Sequence, residues 1–133
     1  MNIYFLVEGN STEKKIYPQW LKYLVPELKQ VKYFNEVQHN NYYLISGEGY
    51  PSILHDGLHN AVDKVQETQK YDYLVLCVDA DEETVAERGN YIKNFIEKKI
   101  SILGKLKLRL LSKIAVLKLG YWVIEEFLIL DNL

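Results

Sequence analysis

Hydrophobic residues fall along this chain in short β-prone runs separated by longer segments with apolar positions at helical spacing. The short runs predict strands at Ile3 to Val7, Asn41 to Ser46 and Tyr73 to Val78. The intervening segments predict amphipathic helices at about residues 11–24, 51–69 and 84–99. Strands that alternate with helices are joined as parallel strands by right-handed crossovers. We therefore expect an α/β fold, a Rossmann-like open sheet of about four mostly parallel strands flanked by helices.

The third predicted strand runs directly into negative charge. Within LVLCVDADEE, positions 74–83, four of the last five residues are acidic. Clustered carboxylates repel one another unless a cation lies among them, although acids also cap helix N-termini, and this segment alone leaves both explanations open.

The whole fold favours the cation, because open sheets place functional groups beyond the carboxyl ends of their strands. Glu8 ends the first strand, and Asp79 and Asp81 end the third. Three carboxylates from two strands predict a hard-oxygen site of the kind that Mg²⁺ or Mn²⁺ prefers.

Composition sets the limits of this interpretation. The chain has 133 residues, 48% of them hydrophobic, which is enough for one domain with a core of its own. A formal net charge of −2 gives no global basic surface, so any surface that binds nucleic acid must be local or depend on a metal or a partner. The single Cys77 lies inside a strand, which predicts a buried, reduced thiol. Without a signal-like leader or an apolar stretch of membrane-spanning length, we expect a cytoplasmic protein that does not contact a membrane.

Two motifs in this order resemble a known domain family. A strand ending in Glu-Gly (LVEGNSTE) and a later strand ending in Asp-x-Asp (CVDADE) are similar to the Toprim domain of topoisomerases, primases and OLD-family nucleases. The Glu-Gly-x-x-x-Glu spacing, which gives Glu8 and Glu13, is most similar to RloB-like and OLD-type nucleases, including PARIS-like anti-phage effectors. The resemblance covers roughly the first hundred residues.

The resemblance implies roles for these residues. Asp79 and Asp81 would bind Mg²⁺ or Mn²⁺, and Glu8 would bind the metal or act as general acid/base. Glu13 would reach the metal through water or a second ion, although a first-turn Glu that stabilises its helix is a comparable explanation. The implied reaction is metal-dependent phosphodiester hydrolysis of DNA or RNA, and the implied partners are nucleic acid and either an ATPase or further copies of the chain.

Several other residues invite a functional interpretation. His55 and His59 lie four residues apart, but we favour surface or helix-packing roles over a zinc site. A core or an interface explains most of the tyrosines, although Tyr42, Tyr43 and Tyr50 near the site edge could stack on bases. The cations toward the C-terminus form one basic stripe, either a solvated face or a contact for phosphates: Lys98, Lys99, Lys105, Lys107, Arg109 and Lys113.

The C-terminal segment departs from the family pattern. RloB-like nucleases continue with a segment similar to NRCIETWLL, whereas this chain has SKIAVLKLGYWVIEEFLILDNL. Back-translation of positions 113–127 permits NRCIETWLLGNRRI in the neighbouring frame. We therefore expect a Toprim-like core at 1–112 and an atypical tail at 113–133, produced by a one-base frameshift after about Leu108. Within that tail, KIAVLKL is apolar enough for a fourth strand and WVIEEFLIL for a short helix.

Three functions remain open at this point. The first is a Toprim-type nuclease, or a truncated remnant of one, from a phage-defence setting. The second is a catalytically silent Toprim-like module that docks onto a partner. The third is a receiver-like signalling domain with Asp79 as phosphoacceptor, which is weak because a receiver needs an acidic pair after its first strand and this strand ends in Glu-Gly.

Overall fold

The computed structural model describes the backbone of residues 1–79, 84–103, 111–118 and 121–129, with side chains described at 1–78, 84, 86–95 and 98. The strands of the sheet are β1 (Ile3–Val7), β2 (Lys29–Gln30), β3 (Asn41–Ser46), β4 (Tyr73–Asp79), β5 (Leu111–Lys118) and β6 (Tyr121–Ile129). The helices are α1 (Thr12–Leu24), α2 (Asp56–Thr68) and α3 (Val85–Leu103).

The six strands form one open sheet in the order β2-β3-β1-β4-β5-β6. The first five run parallel, and β6 pairs antiparallel with β5 at one edge. The predicted α/β class is confirmed, as is a mostly parallel, Rossmann-like open sheet flanked by helices. The sheet has more strands than expected because the two-residue β2 and the antiparallel β6 extend its edges.

Alternating side chains of the central strands build a separate core on each face of the sheet. Tyr4 and Leu6 point to the face covered by α2 and α3, where they pack with residues such as Leu58 and Ile92. Val7 belongs to the opposite core, under α1. The central strands are therefore buried on both sides, which explains their short, strongly apolar sequences.

The chain changes direction at β1. The connection through α1 leads from β1 to the β2 edge, whereas the connection through α2 leads from β3 across to β4 on the other side of β1. Such a switch in strand order opens a crevice at the carboxyl ends of the strands, which is where ligands bind in open α/β sheets. Glu8 follows the strand at which the switch occurs.

The C-terminal segment matches one expectation and contradicts another. The fourth strand predicted from KIAVLKL is present within β5, paired in parallel with β4. The short helix predicted from WVIEEFLIL is wrong, because this segment is strand β6. It is rich in β-branched and aromatic residues, and only residues 119–120 separate it from β5, a spacing that favours a hairpin. Strand β5 starts at Leu111 and so crosses the predicted boundary after residue 112, and the division into core and tail stays a prediction.

Candidate active site

Two of the predicted acids follow neighbouring parallel strands at the same edge of the sheet. Glu8 comes directly after Val7, which is in register with Cys77 of β4. Asp79 is the last residue of β4, two positions beyond Cys77. The structure therefore brings the backbones of Glu8 and Asp79 to one carboxyl edge. The side chain of Asp79 and the whole of Asp81 lie outside the described residues, as do Glu82 and Glu83.

The carboxylate of Glu13 reaches back from the first turn of α1 to the residue after Glu8. A Cβ atom added at Gly9 would overlap Cδ and both carboxylate oxygens of Glu13. A side chain at position 9 therefore cannot coexist with this position of Glu13. The missing side chain at Gly9 leaves room for a second carboxylate, that of Glu13, at the edge that carries Glu8. Glu13 is in the first turn of α1, where the helix dipole also favours negative charge.

We expect Gly9→Ala to displace the Glu13 carboxylate at little cost in stability. The far end of a flexible side chain can move aside, so the free energy of unfolding should change by less than about 1 kcal/mol. If Glu13 contributes to a metal site, Mn²⁺ affinity should fall by as much in Gly9→Ala as in Glu13→Gln, and the double variant should lose no more than either single variant. Isothermal titration with Mn²⁺ measures this, and full affinity in Gly9→Ala would assign Glu13 to helix stabilisation alone.

The loop after β3 fixes the backbone at Glu8. The amide of Gly49 donates a hydrogen bond to the carbonyl oxygen of Glu8 at 2.7 Å, and the amide of Gly47 donates to that of Val7 at 2.8 Å. Gly49 adopts a φ of +86°, which glycine tolerates best. The residue that carries the first acid is therefore held from two sides, by its own strand and by this loop.

Arg88 is a residue at this edge that the sequence interpretation missed. Its side chain is only 6% exposed, and its guanidinium carbon lies 4.0 Å from the centroid of the Tyr50 ring, in the loop that bonds to Glu8. It sits at the start of α3, where Thr84 and Glu87 form a reciprocal capping box of hydrogen bonds at 3.0 and 3.1 Å. This buried guanidinium adds fixed positive charge beside the loop that bonds to Glu8. The signal was present in the sequence, because Arg88 lies four residues before the buried Ile92 on the apolar face of its helix.

We expect the stacking of Arg88 on Tyr50 to show as a coupling energy. A double-mutant cycle of Arg88→Met and Tyr50→Leu should give about 1–2 kcal/mol between the two positions, because the cation lies on the ring away from water. Tyr50→Phe keeps the ring face and serves as the matched control. Arg88→Met should therefore cost as much stability in this variant as in the unchanged protein. Chemical denaturation of the unchanged chain, the three single variants and the two double variants measures it, and strictly additive losses in the Tyr50→Leu cycle would contradict a stabilising contact.

The histidines and tyrosines singled out in the sequence have structural partners. The ring of His55 packs edge-on against Phe95 of α3 at 5.3 Å, and His59 pairs with Asp63 one turn along α2 at 3.3 Å. Both contacts agree with the packing and surface roles favoured above. Tyr42 and Tyr43 have the core roles that the sequence favours for most of the tyrosines. They begin β3, at the amino edge, where Tyr42 is buried in the core and Tyr43 packs on Tyr4 at 5.1 Å.

Cys77 is a buried core residue, as expected. It is 2% exposed, and burial raises the pKa of its thiol to about 12 because the thiolate would be desolvated. The protonated thiol is therefore a poor nucleophile. Of the predicted basic stripe, only Lys98 has a described side chain, and it is exposed.

The chemistry of the donor set decides whether a divalent ion fits this edge. Glu8 and Glu13 supply carboxylate oxygens from the described part of the site, and Asp79 ends the neighbouring strand. These are the hard ligands that Mg²⁺ and Mn²⁺ take. Among described side chains, no three His, Cys, Asp or Glu residues form a group that would hold a metal, and the side chains of Asp79 and Asp81 are not part of that set. The residues present fit a hard divalent ion by type.

Comparisons with known proteins identify no relative of this chain. No family model matches the chain, and no curated protein or solved structure does so either. Within the described residues, none of the helices has the length and apolar character needed to cross a membrane.

Proposed function

We propose that this chain is a Toprim-type, Mg²⁺- or Mn²⁺-dependent nuclease, or a remnant of one, that acts in the cytoplasm in a phage-defence setting. The observation that carries the proposal is the arrangement of Glu8 and Asp79 at the ends of adjacent parallel strands, on the edge where the strand order switches. The Glu-Gly and Asp-x-Asp motifs that define the family resemblance lie at those two strand ends.

The residues have distinct tasks in this proposal. Asp79 and Asp81 would hold the ion, and Glu8 would either complete its ligands or serve as the general base. The bound ion would polarise the scissile phosphate and activate that water. The hydrogen bonds from the loop after β3 keep Glu8 in position, since its carbonyl is fixed by Gly49. Such positioning matters because small misplacements of catalytic groups cost on the order of a hundredfold in rate.

Arg88 gives the proposed site a cation of its own. Its guanidinium is held against Tyr50 and therefore needs little reorganisation when charge develops on a phosphate nearby. Nucleic acid is the proposed partner, and the reduced, buried Cys77 suits a cytoplasmic protein. An ATPase or further copies of this chain remain proposed partners on the family resemblance alone.

A metal-dependence assay on mixed nucleic acids tests the proposal. The purified chain is incubated with single- and double-stranded DNA and RNA in Mg²⁺, Mn²⁺ or EDTA, beside Asp79→Asn and the surface variant Asp63→Asn. We expect any cleavage to require the divalent ion and Asp79, and to persist in Asp63→Asn. Cleavage that continues in EDTA or in Asp79→Asn would contradict the proposed site.

A further inference from the structure

Two neighbouring cavities lie between helix α1 and the β2 edge of the sheet. The larger, of about 450 Å³, is lined by Lys14, Gln30, Val31, Lys32 and Leu44. The smaller, of about 280 Å³, has eight lining residues: Pro18, Gln19, Lys22, Pro26, Leu28, Lys29, Gln30 and Tyr42. Gln30 lines both, so the two cavities adjoin at β2, and we call them together the lysine groove.

Positive charge is concentrated in this groove. Lys14 and Lys32 line the larger cavity, and Lys22 and Lys29 line the smaller. No Asp or Glu is among the described residues that line either cavity. In a chain with a formal net charge of −2, four lysines on cavities whose described lining residues include no acid form a local basic surface of the kind that the composition alone could not locate.

The larger cavity lies at the end of the groove nearest the acids. Lys14 is in the first turn of α1 and directly follows Glu13, the residue whose carboxylate lies over Gly9. Lys32 lies two residues beyond the carboxyl end of β2, which runs parallel to β1. From Lys14 to Lys22 the groove follows α1 for about 12 Å, at 1.5 Å per residue. A polyanion lying along the groove would therefore arrive at the edge that carries Glu8 and Asp79.

We propose that the lysine groove binds the phosphodiester backbone of a single-stranded nucleic acid and guides it to the acidic edge. This inference rests on the proposed function, because it assigns the route of that substrate. Lysine ammonium groups contact phosphates as point charges and release the counterions condensed on the strand, and this release is a main source of such affinity.

An exposed aromatic ring in contact with Lys32 of the larger cavity favours a single strand over a duplex. Tyr33 is 54% exposed, and the ammonium of Lys32 lies 5.3 Å from its ring centroid. A basic track for the backbone beside an exposed aromatic platform is the combination that binds unpaired bases, because every base has a face on which a ring can stack. Bases in a duplex are already stacked on each other and have no such face free.

Binding in EDTA tests the groove separately from catalysis. Fluorescence anisotropy follows labelled oligothymidylate and oligouridylate across a salt series, which compares DNA and RNA backbones. The variants are Lys14→Gln/Lys32→Gln and Lys22→Gln/Lys29→Gln. The matched control is Lys70→Gln/Lys93→Gln, which removes the same charge from exposed positions outside the groove. Thermal melts verify that all three proteins remain folded.

We expect each groove variant to bind about tenfold more weakly, with a salt slope reduced by about 0.7 for every phosphate that is no longer neutralised by a lysine. The control should retain the affinity and slope of the unchanged protein. Tyr33→Ala should bind about 5- to 150-fold more weakly than the unchanged protein if one base stacks there, with no change in the salt slope.

Three results would contradict the proposed role of the groove in binding nucleic acid. They are equal affinities in the groove variants and the control, no binding of either oligonucleotide by the unchanged chain at low salt, or equally tight binding of a poly-glutamate peptide. None of these binding results depends on a metal. If one of them is found while cleavage still requires Asp79, the groove is wrong and the proposed function is not affected. Conversely, binding that is weaker in the groove variants, without any cleavage, would support the groove and favour the remnant over an active nuclease.

Discussion

Asp79→Asn is expected to abolish stabilisation by divalent ions while leaving the metal-free free energy of unfolding unchanged or slightly higher. An acid that lies beside other acids destabilises the metal-free fold through repulsion. Replacing it with the neutral amide therefore relieves this repulsion and also removes a ligand of the ion. Asp81→Asn should behave in the same way. Thermal melts with and without Mg²⁺ measure both effects, because an ion that binds only the folded state raises the melting temperature.

The helix-capping explanation predicts the opposite result. If Asp79 and Asp81 serve mainly to start α3, each substitution should lower stability by about 1 kcal/mol whether Mg²⁺ is present or not. The described start of α3 already has a capping box, between Thr84 and Glu87. A large loss in both single variants would nevertheless favour capping and remove the main argument for a metal.

Restoring the alternative reading frame after Leu108 is expected to raise nuclease activity by about a hundredfold or more. Hydrolysis requires the ion, a positioned water and a substrate clamp together, and a missing part costs about this much. In the sequence as it stands, LKLGYWVIEEFLIL takes the place of the NRCIETWLL pattern of the RloB-like nucleases that the chain resembles. On the proposed function this segment is apolar and acidic where a phosphate would need cations. The measurement is cleavage of DNA and RNA in Mg²⁺ or Mn²⁺ by the two chains.

Asp79→Asn in the frame-restored chain is the control for this comparison. It should return activity to the level of the unrestored chain, which would support both the frameshift and the metal site. Equal activity of the two reading frames would show that the segment after Leu108 is native and the frameshift hypothesis wrong.

The core of the fold could be predicted because its signals are local. A strand buried on both faces must be short and apolar throughout, as in Ile3–Val7, and a covering helix must repeat its apolar residues at helical spacing. Strand β6 was missed because an apolar segment of nine residues fits either a short helix or a strand. Its pairing with β5 decides between them, and that is a contact with another segment of the chain.

The candidate site was predictable only in part, for a related reason. Acids that end strands are visible as a motif, and parallel topology brings such ends to one edge, as for Glu8 and Asp79. The stacking of Arg88 on Tyr50 joins residues 38 positions apart, and the lysine groove joins α1 to the residues around β2. No spacing rule connects such pairs. The burial of Tyr42 likewise depends on a distant segment, because α1 packs over that face.

Whether acids from two strands share one ion is the central question, and Mn²⁺ binding answers it most directly. Electron paramagnetic resonance counts the ions bound by the unchanged chain, Glu8→Gln, Asp79→Asn and the double variant, with the exposed Glu67→Gln as control. We predict that the same ion is lost in each single variant, that the double variant loses nothing more, and that Glu67→Gln binds as the unchanged chain does. Full Mn²⁺ binding by Glu8→Gln and Asp79→Asn, or losses of two different ions that add in the double variant, would contradict a shared metal site at this edge of the sheet.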